Sequence, residues 1–110
     1  MGLEFDLKIL PTAQFDLERI ALLHLSYVGP GSARKITDEL YDALEHLRRF
    51  PDMGIMLPDK ELRSLGYRGL IVGHYLCVYR HIETMIFVYQ ITDMRSDYPK
   101  LLKMLPQGQV

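Results

Sequence analysis

The sequence predicts an α+β fold. Its elements run strand, helix, helix, strand, strand, strand, short helix, giving a small, mostly antiparallel four-stranded sheet with a helical hairpin packed on one face. Three features of the pattern predict it. Residues 3–9 alternate strictly between apolar and charged, the period of a half-buried strand. The next two stretches repeat apolar residues at helical spacing and are divided by Gly29-Pro30-Gly31, a breaker that forces a helix–helix turn. From Leu65 the period changes, and three runs rich in β-branched and aromatic residues follow across short turns, the mark of a meander.

Taken in order, the opening strand puts Leu3, Phe5, Leu7 and Ile9 on one face and ends at Pro11. Thr12 is placed to cap a helix whose inner positions are Ala13, Leu17, Ile20, Ala21, His24 and Val28. Leu22, Leu23 and Leu25 widen its apolar surface beyond one stripe. That helix is either sandwiched between two layers or carries a face awaiting a partner. Ser32 is placed to cap the second helix, with Ala33, Ile36, Leu40, Ala43, Leu44 and Leu47 as its core stripe and Arg48 and Arg49 suiting the negative end of its dipole. In the meander (residues 65–72, 75–82 and 84–92), the middle strand sorts Leu76, Val78, Arg80 and Ile82 to one face and Tyr75, Cys77, Tyr79 and His81 to the other. The aliphatic face is expected to take the helices, leaving the aromatic face the more open. Arg80 is then expected to reach the sheet edge and pair with an acidic group or the C-terminal turn. Residues 93–97 break the last strand, and Tyr98, Leu101, Leu102 and Leu105 have the spacing of a terminal helix.

A chain of 110 residues with 48% hydrophobic and 25% charged residues suits one domain, 1–110. No apolar run is long enough to span a membrane. The lone Cys77 and the charged first twenty residues point to a cytoplasmic protein. Thirteen basic against fourteen acidic side chains tell against non-specific nucleic-acid binding. Residues 61–110 hold six basic and four acidic groups, so an anionic ligand should approach that half. His24, His46, His74 and His81 lack ligand spacing, and no glycine-rich loop opens a helix. No metal or cofactor is therefore expected.

The ordered series Phe15-Asp16-Leu17-Glu18-Arg19-Ile20, Leu47-Arg48-Arg49-Phe50-Pro51-Asp52-Met53-Gly54, Gly66-Tyr67-Arg68-Gly69-Leu70-Ile71-Val72, Tyr75-Leu76-Cys77-Val78-Tyr79-Arg80, Val88-Tyr89-Gln90-Ile91 and Asp93-Met94-Arg95-Ser96-Asp97-Tyr98 resembles the toxins of the RelE/ParE superfamily of bacterial type II toxin–antitoxin pairs. The resemblance covers nearly the whole chain. It implies a cognate antitoxin that folds over the toxin in a hetero-oligomer, docking on Leu22 or on Leu101 and Leu105. For the target it implies two alternatives. The first is a ribosome-dependent mRNA endoribonuclease that arrests translation. The second is a ParE-like toxin that inhibits DNA gyrase by protein binding, without nuclease activity.

Under the first, Arg68 and Arg95 would clamp a phosphate through planar forks, and Tyr98 would orient the nucleotide or exchange a proton. Arg63, Tyr79, His81 and Asp97 would contact RNA. Asp97 stands where some RNA-cutting relatives have a His, and the lysine-rich strand of RelE is absent between Arg63 and Val72. Arg95 and Asp97 are alternatively expected to brace each other across the turn or to meet the antitoxin.

Overall fold

The computed structural model describes residues 4–104. The elements are β1 (Asp6–Ile9), α1 (Pro11–Tyr27), α2 (Pro30–Leu47), β2 (Ile55–Met56), α3 (Lys60–Ser64), β3 (Tyr67–Val72), β4 (Tyr75–Ile82), β5 (Met85–Asp93) and α4 (Tyr98–Lys103). The α+β order holds, but the sheet has five strands rather than four, in the order β1-β5-β4-β3-β2. The added strand, β2, is two residues long and pairs antiparallel with β3, Ile55 facing Gly69 and Met56 facing Arg68. Strand β1 lies parallel to β5, and the remaining pairings are antiparallel. Two residues carry no readable periodicity. The Pro58-Asp59 step, which looks like bare punctuation, starts the one-turn helix α3, with the Asp59 carboxylate accepting from the Leu62 amide at 3.0 Å.

Both long helices begin earlier than expected, each with a proline in its first turn, where the missing N–H costs nothing. Neither start has a side-chain cap at the N-cap position. That of α2 is Gly29 at φ 141°, a conformation open to glycine. Ser32 is therefore freed from capping, and its hydroxyl meets His24 Nδ1 at 2.9 Å, while His24 Nε2 meets the Tyr75 hydroxyl at 3.1 Å. One imidazole thus ties α1 to α2 and to β4.

The hairpin of α1 and α2 packs on one sheet face. Ala13, Leu17, Ile20, Ile36, Leu40, Leu44 and Leu47 bury against Leu70, Cys77, Tyr79, Ile86, Val88 and Ile91. The faces of β4 are thus the reverse of those expected: Tyr75, Cys77 and Tyr79 meet the hairpin. Leu76 and Val78 join Leu10, Leu57, Leu62, Tyr89 and Leu102 in a second core on the opposite face. Alternation fixes which residues share a face, not which layer covers it. Here α3 and α4 supply an aliphatic cover that satisfies the aliphatic side. Both faces are consequently buried. Along α1, Leu22, Leu23, Leu25 and Tyr27 remain exposed, as does Val28 just past its end, so the wide apolar surface is uncovered rather than sandwiched.

Beyond the end of β1, β5 has no strand on the edge away from β4. Asp16, buried on α1, takes over by accepting the Ile91 amide at 2.9 Å. Burial pushes the Asp16 carboxyl above its ordinary 3.8, opposed by the Ile91 bond and by Arg19, 3.7 Å away. An acid raised on folding favours the native state while protonated. That contribution is present below the unfolded value and lost as pH rises through the folded value. Asp59 and Asp93, both lowered on folding, contribute the opposite slope. The comparison with Asp16→Asn isolates the Asp16 share. Urea midpoints at pH 4 and pH 7 should show the variant gaining relative to the parent at the higher pH. An equal shift at both pH values would mean that the carboxyl is not strained by burial.

Candidate functional site

Arg68, Arg95 and Tyr98 are not brought together. Arg68 lies opposite Tyr79 in the β3–β4 register and shares the hairpin-side face with it. Its guanidinium donates to the carbonyls of Gly54 at 3.0 Å and Asp52 at 3.3 Å, with the Asp52 carboxylate at 3.8 Å. Tyr98, on α4, packs into the second core on the other face. Burial, and then the charge of Asp59, push its phenol above the ordinary value.

Arg95 follows β5 at the opposite end of the sheet. Asp93 pairs with Tyr75, four residues along β4 from the partner of Arg68, which is about 13 Å along the strand. Its side chain is 88% exposed, and its fork is taken by Asp93, with Nε at 3.0 Å and Nη2 at 2.9 Å from the two carboxylate oxygens. These bonds, with a further one from the Arg95 amide at 2.8 Å, hold the Asp93 carboxyl well below the usual range. The expected brace with Asp97 is not formed. Asp97 instead caps α4, accepting from the Lys100 amide at 3.3 Å.

The other residues singled out scatter similarly. Tyr79 is fully buried, donating its hydroxyl proton to the Pro51 carbonyl at 2.7 Å and accepting from the Gly54 amide at 3.0 Å. Arg63 is exposed in the last turn of α3. Leu22 is exposed beside a depression of about 270 Å³ lined by Arg19, Leu22, Leu23, Ser26 and Tyr27. Leu101 is exposed on α4, and Leu105 lies outside the described residues.

One small cluster does form. His81 Nδ1 stands 3.6 Å from the Asp52 carboxylate that also faces Arg68. Its Nε2 is buried without a hydrogen-bond partner, and Phe5 meets its ring edge-on at 4.6 Å. Asp52 is the member that sequence reading missed. Its only signal was a place in a Pro-Asp-Met-Gly turn, which looks like any other turn. Cys77 is fully buried, and burial pushes its thiol up to about 12, which leaves no reactive thiolate. Among the described residues, no three His, Cys, Asp or Glu side chains gather as metal ligands, and no helix is long and apolar enough to cross a membrane.

Residues 7–98 match the model of a family described as the ParE toxin of the type II toxin–antitoxin system parDE. No curated protein matches the sequence. Among solved structures, the fold is similar to a chain of the chromosomal ParDE toxin–antitoxin system from P. aeruginosa, at TM-score 0.70 and 20% identity, covering 84% of this chain and 98% of that one. It is also similar to a chain of the RelBE2 toxin–antitoxin complex from Mycobacterium tuberculosis, at TM-score 0.51 and 15% identity, covering 87% and 98%.

Proposed function

Because the chain belongs to the ParE toxin family of type II toxin–antitoxin systems, within the RelE/ParE superfamily, we propose that it acts by binding a protein target, DNA gyrase, rather than by cutting mRNA. The observation that carries this reading is the dispersal of Arg68, Arg95 and Tyr98 over two faces and two ends of the sheet. In-line cleavage of RNA needs a base, an acid and phosphate-binding cations within hydrogen-bond reach of one phosphodiester. Here one cation is spent on Asp93, and the other is tied to a loop.

The test is purified toxin, free of antitoxin, in a gyrase supercoiling assay, run beside mapping of mRNA 5′ ends on ribosomes after induction in a bacterial host. Inhibited supercoiling with intact messages is expected. Arg95→Ala and Tyr98→Phe should each shift the inhibitory concentration by no more than about threefold, the equivalent of an exposed ion pair. The nuclease reading is favoured by one observation, the His81–Asp52–Arg68 cluster. New 5′ ends within translated codons, abolished by His81→Gln, would establish that reading and overturn the first.

A further inference from the structure

Three arginines of the described residues are half-buried, and two of them are paired. Arg48 reaches Glu45 at 2.7 Å and Glu4 at 3.4 Å, and Arg68 faces Asp52. The third, Arg80 on β4, has no carboxylate within ion-pair distance among those residues. The expected pairing with an acidic group is absent, and two tyrosines hold the side chain instead. Its guanidinium carbon lies 5.1 Å from the Tyr67 ring centroid and 5.9 Å from that of Tyr89, and one N–H reaches the Tyr89 hydroxyl at a long 3.4 Å. The two rings meet edge-on at 5.0 Å. Tyr89 sits at the irregularity where the β4–β5 register shifts, Val78 facing Gln90 and Tyr79 facing Val88. The fork is thus fixed in place, permanently charged, with most of its five donors unspent. Residues 1–3 and 105–110 contain neither Asp nor Glu.

We propose that Arg80, clamped between Tyr67 and Tyr89, is a recognition point for an acidic side chain of the cognate antitoxin. The clamp has already ordered the guanidinium, so a carboxylate gains two parallel hydrogen bonds at little further entropic cost. A nucleic-acid backbone fits less well, because it requires a positive field extended over several phosphates. The neighbouring α3 and α4 segments carry Asp59, Glu61 and Asp97 against Lys60, Arg63, Lys100 and Lys103, a nearly neutral collar. Tyr67 offers its ring face to Arg80, and Tyr89 is only 3% exposed, so neither is a free stacking platform for a base. The inference rests on membership of a toxin–antitoxin family and not on the choice between gyrase and mRNA.

Its test measures the affinity of purified toxin for the cognate antitoxin by calorimetry, for the parent, Arg80→Gln and Arg80→Lys, with thermal melts of each. Each antitoxin carboxylate is also changed in turn to its amide. Arg80→Gln should weaken binding by at least about tenfold, and Arg80→Lys should recover only part of that, having lost the fork. One antitoxin substitution should cost nothing further in the Arg80→Gln background, the signature of a direct pair. Should Arg80→Gln fail to fold, the same cycle is read in Arg80→Lys. Unchanged affinity, or no antitoxin carboxylate coupled to position 80, would overturn the proposal. So would an effect confined to binding of a single-stranded RNA oligonucleotide. Gyrase inhibition by antitoxin-free Arg80→Gln, measured in parallel, bears only on the target.

Discussion

Tyr79→Phe is expected to lose about 1–3 kcal/mol of stability, the cost of leaving the buried Gly54 amide without a partner, while the half-buried Pro51 carbonyl loses its donor as well. The hydroxyl it removes sits in a fully buried position. There it donates to the Pro51 carbonyl and accepts from the Gly54 amide, pinning the segment between α2 and β2 to the middle of the sheet. Burial pushes the Tyr79 phenol up, so the hydroxyl keeps its proton at any working pH and remains a donor. A loss of that size is a large share of a small domain's margin. The urea midpoint should fall, while the affinity of the folded fraction for antitoxin stays as in the parent. A variant as stable as the parent but weakened towards RNA would return Tyr79 to the nucleotide-contacting role that its residue type suggests.

Gly54→Ala is expected to cost about 3 kcal/mol, the upper end of what overpacking a core brings. A methyl group there would lie 2.6 Å from the Tyr79 hydroxyl, 2.7 Å from a ring carbon of Tyr79 and 2.8 Å from the Gly69 carbonyl. None of these yields easily: the ring is held by two hydrogen bonds, and Gly69 is backbone within β3. Gly31→Ala is the control. It lies in the first turn of α2, and a methyl group there meets nothing within 4 Å. The helix propensity gained should make that change neutral or stabilising by up to about 1 kcal/mol. Equal denaturation midpoints for the two variants would mean that the segment before β2 is not seated against β3 and β4.

What the sequence made legible followed the length of each signal. The two helices and three meander strands repeat their pattern over many residues, so their type and order could be read. A two-residue strand and a single-turn helix repeat nothing, which hid β2 and α3. The orientation of β4 was hidden for another reason: Tyr75 and Tyr79 look like surface residues until the partners of their hydroxyls, His24, Pro51 and Gly54, are known. Those partners are distant in sequence. The candidate site shows the same division. Arg68, Arg95 and Tyr98 could be picked by type and position, but which carboxylate each arginine meets depends on tertiary placement. Asp93 lies two residues from Arg95 and is the better partner, because Asp97 is committed to capping α4. Arg80 could be recognised as an arginine in an apolar strand, and only the structure shows that its company is aromatic.

The parallel seat of β1 against β5 joins Asp6 to Met85 and Ile9 to Val88, across both long helices and two strands of the meander. A nascent polypeptide therefore carries β1 unpaired until both helices and the first strands of the meander have been made, and closure of the sheet must wait for β5. Such a long-range pairing is slow, because its chain-closure entropy is lost before any contact compensates. For a member of a toxin–antitoxin family, the delay bears on how its partner meets it. The closed sheet does not exist until β5 has been made, which gives an antitoxin already present the first opportunity to meet it.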